Sequence, residues 1–148
     1  MPLLCGRRPM PWPLSFASHL WFVVTCDEVS DRYEVWAQLG KINDTAVTKN
    51  ALSLHSSFRS SYLDNPLTPK KTGVATLVAG VEGEAGSAVA ELYARIVTSL
   101  YTYPYATSYR MWPGPNSNTY IAWCLAPYPD LQLPLPRNAF GKKFRSVY

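Results

Sequence analysis

Along the chain, two short runs alternate or concentrate apolar residues in the manner of strands. "SHLWFVVT", Ser18 to Thr25, is rich in β-branched and aromatic side chains, and after the polar "CDEVSD" a second such run, "RYEVWAQL", follows. Two strand-like runs around a short polar connection predict an antiparallel hairpin. Period-two alternation puts His19, Trp21 and Val23 on one face of the first strand and Arg32, Glu34 and Trp36 on one face of the second. A pairing of Val24 with Val29 would bring His19 opposite Glu34; a slip of one residue would place Tyr33 or Val35 there instead. A third strand is predicted within "GVATLVAGVEG", Gly73 to Gly83. It leads into "EAGSAVAELYARIVTSLYTYP", where Val89, Leu92, Ile96 and Leu100 recur at helical spacing and Pro104 ends the helix.

The stretch "WPGPNSNTY", 112 to 120, predicts a stiff turn that feeds a second helix. Pro113 and Pro115 restrict the backbone at and before their own positions. Asn116 is a favoured N-cap, Ser117 becomes the first helical residue, and Tyr120, Ile121 and Cys124 share the face turned to a core. The helix stops before Pro127, and "YPDLQLPLPRNAFGKKF" is a proline-punctuated tail with room for a short final strand. Between Gly40 and Thr72 the chain is polar and serine-rich, without a sustained period, and reads as a long excursion that carries His55.

At 148 residues and 47% hydrophobic the chain suits one domain. Its first fourteen residues, "MPLLCGRRPMPWPL", are broken by four prolines and read as an N-terminal extension to a domain spanning 15 to 148. No run of eighteen apolar residues predicts a membrane span, the opening residues lack the order of a secretory leader, and a cytoplasmic location is expected. Cys5, Cys26 and Cys124 are odd in number and lack C-x-x-C spacing, which speaks against a disulfide framework or a zinc site. The charge of +4 is spread over pairs such as Lys70-Lys71 and Lys142-Lys143, a solvated pattern that does not point to nucleic acid. No glycine loop fits a phosphate-binding spacing, and no cofactor is expected.

Candidate chemistry centres on Ser117. A hydroxyl at a helix N-terminus lies where free N–H groups and the positive dipole end converge, an environment that stabilises an oxyanion. Serine needs a base and an orienter, and His19 and Glu34 are the candidates, with the amides of Asn116 and Asn118 offered to the oxyanion. Tyr109, Arg110 and Trp112, with the strand aromatics Trp21 and Tyr33, are candidates for substrate contacts. The bland reading is that Asn-Ser-Asn is a turn and cap, His19 a core histidine, and Cys124 inert packing.

The stretch "YPYATSYRMWPGPNSNTYIAWCLAPYPDLQLPLPRNAFGKK", with "SHLWFVV" and "DRYEVW", resembles a domain-of-unknown-function family of bacterial and fungal proteins marked by a W-P-G-P-N-S-N-T-F core. Two departures stand out: the hydrophobic N-terminal segment of bacterial relatives is not seen here, and Gly141-Lys142-Lys143 replaces a more usual Gly-Lys-Asp. More distantly, His19, Glu34 and Asn116-Ser117 are similar in order to the circularly permuted papain-like NlpC/P60 enzymes, with serine in place of cysteine. The expected fold is therefore α+β, a small antiparallel sheet with two main helices in a permuted papain-like arrangement. The expected function is a small enzyme acting on an acyl, amide or ester-like molecule by hydrolysis, acyl transfer or cyclisation. The alternative is a non-catalytic module binding a small molecule or protein; a homodimer is compatible with either.

Overall fold

The computed structural model describes residues 1–10, 14–37, 45–49 and 76–144. It is an α+β domain. Strands β1 (Pro2–Pro9), β2 (Ser18–Cys26), β3 (Val29–Ala37), β4 (Thr45–Lys49) and β5 (Thr76–Glu82) form one sheet in the order β4-β3-β2-β1-β5. Every pairing is antiparallel. Helices α1 (Ala88–Thr102) and α2 (Ser117–Leu125) follow, then a 3₁₀ turn at Pro129–Leu131. Among the described residues no helix is long and apolar enough to cross a membrane.

The first residues are not an extension. β1 lies between β2 and β5, with Leu4 opposite Val23 on one side and Gly80 on the other. Its prolines, Pro2 and Pro9, stand at the strand ends, where a missing N–H interrupts the ladder least. Leu3 and Cys5 point to the core between them. Gly6 is required by a close approach: a Cβ there would lie 2.5 Å from the indole of Trp21, which crosses over β1.

The β2–β3 hairpin closes through Asp27 and Glu28, both at positive φ (48° and 66°), as a two-residue turn needs. The polar connection is thus shorter than its composition implies, because Cys26 and Val29 already pair. Val24 faces Asp31 and Phe22 faces Tyr33, two residues away from the expected register. A two-residue shift leaves every side chain on its expected face.

The two faces of the sheet are covered differently. Leu3, Cys5, Leu20, Phe22, Val24, Tyr33 and Val35 pack against Val89, Leu92 and Ile96 of α1 and Tyr120, Ile121 and Cys124 of α2. Each such aliphatic or aromatic side chain taken from water contributes about 1.5–3 kcal/mol. Between the helices, the hydroxyls of Ser99 and Tyr120 are 2.9 Å apart and the Arg95 guanidinium lies 3.7 Å over Trp123. The opposite face carries Arg8, His19, Trp21, Arg32 and Glu34, all buried.

α1 falls within the segment expected to be helical and begins after Ser87, whose Oγ accepts from Ala90 N at 3.3 Å. The expected third strand is β5, and β4 falls inside the excursion from 40 to 72. His55 lies outside the described residues. Through Phe144 the tail makes turns and the 3₁₀ segment, with no strand among its described residues.

Candidate functional site

The turn before α2 is built by side chains that answer backbone groups. The Trp112–Pro113 and Gly114–Pro115 peptides are cis, and Arg110 N donates to Pro115 O at 2.7 Å. Asn116 Oδ1 accepts from the N–H groups of Asn118 (3.0 Å) and Thr119 (3.2 Å), while Asn116 N donates to Thr119 Oγ1, a reciprocal capping box. Asn116 Nδ2 closes the turn onto Met111 O at 2.9 Å. Asn118 Nδ2 spends both protons, on Ser18 O of β2 and Phe140 O of the tail, each at 2.8 Å. Thr119 Oγ1 donates to Gly141 O at 2.8 Å. Gly141 has φ +89°, and a Cβ there would collide with the Asn116 amide.

Ser117 is different. No hydrogen-bond partner for its hydroxyl or its N–H lies among the described residues, although it is only 4% exposed at the head of α2. It lines a hollow of about 30 Å³ with Ser18, Tyr109 and Asn118, large enough for one water or a small polar group. That hollow shares Met10, Ala17, Met111 and Phe140 with an apolar cleft of about 220 Å³ that also takes in Leu14, Phe16 and Trp112.

The second polar grouping lies on the other side of the sheet. His19 Nε2 donates to Glu34 Oε2 at 2.9 Å, and Arg32 Nη2 donates to the same oxygen at 2.7 Å. The register of Phe22 opposite Tyr33, carried one residue further, sets Glu34 across from Trp21 and diagonal to His19. Arg32 stacks 4.1 Å over Trp21, and Arg8 is the β1 partner of His19. Burial lowers the His19 pKa more than the Glu34 carboxylate raises it, so the ring is neutral at pH 7. Burial pushes the Glu34 carboxyl up, but the hydrogen bonds from His19 and Arg32 and the charge of Arg32 outweigh it and hold the group ionised.

Ser117 and His19 are not brought together. α2 packs on the face of Leu20 and Phe22, whereas His19 shares the opposite face with Trp21, and no hydrogen bond joins them. Asn118 Nδ2 commits both its protons to carbonyls and Asn116 Nδ2 commits one, to Met111 O. Tyr109 and Trp112 line the clefts, Arg110 is exposed outside them, and Trp21 and Tyr33 are buried on opposite faces of the sheet. Cys5 and Cys124 are buried, with thiols pushed up to about 12 by desolvation, which makes them inert packing. Among the described residues no group of metal-ligating side chains forms. Sequence reasoning missed Phe16, Met111 and Phe140, which come from three separate segments, and Arg8, whose place in the alternation of "LLCGRRP" was the available signal.

Together these features define an α+β domain in which two helices back one face of a five-stranded antiparallel sheet and a cleft opens at the second helix's N-terminus. The chain belongs to the family described as "Protein of unknown function (DUF3750)", whose model matches residues 4–144 and so includes most of β1. No curated protein and no solved structure matches it.

Proposed function

We propose that the domain is a non-catalytic binding module whose ligand occupies the cleft at the N-terminus of α2. The carrying observation is that the Asn116 side chain, the Asn118 NH₂ and the Thr119 hydroxyl are spent on holding the turn, while Ser117 keeps a hydroxyl and an N–H uncommitted, and Asn118 Oδ1 is buried without a partner among the described residues, beside an apolar cleft. A helix N-terminus with a free donor favours an acceptor atom on the ligand, and the cleft favours an apolar body. On this reading the architecture is a permuted papain-like one with serine at the nucleophile's position and no base beside it. The test is an amide-shift NMR screen of the full chain with small acceptor-bearing apolar molecules. Shifts at Ser117, Met111 and Phe140 that weaken in Ser117→Ala support the reading. Covalent labelling of Ser117 by a fluorophosphonate would overturn it, since that requires an activated hydroxyl.

A second reading, the enzyme, is favoured by the hydrogen-bonded chain of Arg32, Glu34 and His19. A neutral histidine oriented by a carboxylate is equipped for acid–base chemistry without Ser117, as in a cyclisation or rearrangement. Turnover of an ester, amide or cyclisable substrate that survives Ser117→Ala and is lost in His19→Ala would place the function there.

A further inference from the structure

The surface around Trp112 is unusual in two respects at once. Among the large hydrophobic side chains exposed on the described surface, Phe16 (62%), Met111 (50%), Trp112 (74%) and Phe140 (38%) gather at one place, while Val29, Leu77 and Tyr101 are the remaining ones. Isolated exposed hydrophobics are ordinary, but a contiguous group marks a contact surface. Phe16 and Phe140 meet edge to face at 5.8 Å and so support a shaped trough.

The same Trp112 and Phe140 also line a second cleft of about 290 Å³, whose further wall carries Arg137, Lys142 and Lys143. Lys142 Nζ is held by the carbonyls of Leu135 and Pro136. Its pKa is lowered by burial and then by the charges of Lys143 and Arg137. No ion pair or hydrogen bond occupies the Arg137 or Lys143 side chain among the described residues. Arg137 and Lys143 thus line one cleft with no carboxylate among its described lining residues, while Lys142 is tied to carbonyls beside them.

The clefts adjoin in a fixed order: the Ser117 hollow, the apolar trough, then the basic cleft, with Phe140 common to all three. We propose that the ligand is an amphiphilic monocarboxylic acid, its apolar body in the trough of Phe16, Met111 and Trp112 and its carboxylate between Arg137 and Lys143. The inference rests on the binding reading above and adds the ligand's class. Charge complementarity selects an acid, and Arg137 can meet a carboxylate with two parallel N–H groups. A planar carboxylate matches the fork of Arg137, and the rest of that cleft, Pro113, Ala139 and Phe144 included, is apolar and suits the start of the ligand's body. At the far end Ser117 meets an acceptor oxygen on the body's terminus, directly or through one water, a group that a plain alkyl acid lacks, so such an acid tests the head and the body alone.

The experiment is calorimetric titration of the full chain with decanoate below its micelle-forming concentration, decanol below its solubility limit, and acetate. The titration is repeated on Trp112→Ala and on Arg137→Gln/Lys143→Gln. All three residues are exposed, so the variants leave the core intact. Decanoate should bind at one site, decanol about tenfold or more weaker, as loss of a charge-assisted contact requires. Acetate should not bind measurably, and both variants should weaken decanoate by about tenfold or more, with the double variant leaving decanol unchanged. Equal binding of decanol and decanoate, indifferent to the double variant, overturns the acidic head while leaving the binding module standing. Acetate binding as well as decanoate, or decanoate binding that ignores Trp112→Ala, overturns the amphiphile. Absence of binding by all three overturns the inference, and the amide-shift screen then decides separately whether the Ser117 cleft binds anything. Self-association abolished by Trp112→Ala, with no decanoate bound, assigns the trough to a second copy and overturns the proposal.

Discussion

The two faces of the sheet reach the same degree of burial by opposite means. Leu20, Phe22 and Val24 of β2 are covered by helices and need only water excluded and shapes matched. His19, one residue away, is equally buried, but is held with Arg32 on a carboxylate that must stay ionised. A buried charge is tolerated only if paired and hydrogen-bonded, so the outer face depends on a few named contacts where the inner face depends on the sum of many. An inner-face substitution should therefore be graded by volume, an outer-face one by whether it strands a charge.

The largest expected effect on the inner face comes from Phe22→Ala, about 4 kcal/mol by urea unfolding, because the ring packs edge to face on Tyr120 and its loss leaves a cavity. On the outer face, Glu34→Ala should cost about 3 kcal/mol, and Glu34→Gln nearly as much despite matched volume, since either leaves Arg32 and His19 without their shared carboxylate. If Glu34→Gln were neutral, the contrast between the faces would be lost.

Acid should separate the faces further. The folded pKa of His19 lies below its unfolded value of about 6.5. The unfolded chain therefore binds the extra proton first, and stability should fall as pH drops below that value. Glu34, also lowered in the fold, contributes stability above its unfolded value of about 4.3 that is lost as pH falls through its folded pKa. Urea midpoints at pH 8, 6 and 5 should decline in that order, and His19→Asn should flatten the decline.

Smaller effects test the turn. Asn116→Ala removes the cap and the tie to Met111 and should cost about 1–2 kcal/mol. Ser117→Ala should change stability by less than about 0.5 kcal/mol, because its hydroxyl holds nothing in the fold, while weakening ligand binding. A large loss of stability in Ser117→Ala would sink the distinction drawn between Ser117 and its neighbours.

Read by itself, the chain determined what local physics determines. The cap at Asn116, the stop after α1 at Pro104, the hairpin and the face assignment of His19 with Trp21 are all set by neighbours in sequence, through backbone preference and side-chain period. Tertiary structure decided the rest. "PLLCGRRP" has too many prolines and charges to look like a central strand, and only pairing with both β2 and β5 makes it one. The hairpin register turned on Asp27 and Glu28 accepting positive φ, which sequence disfavours and a two-residue turn demands. Most consequentially, alternation said which side of β2 His19 would occupy but not on which side α2 would pack. Helix placement follows from where the larger apolar cluster lies on the sheet, and it put Tyr120, Ile121 and Cys124 of α2 on the face of Leu20 and Phe22, with His19 on the opposite face.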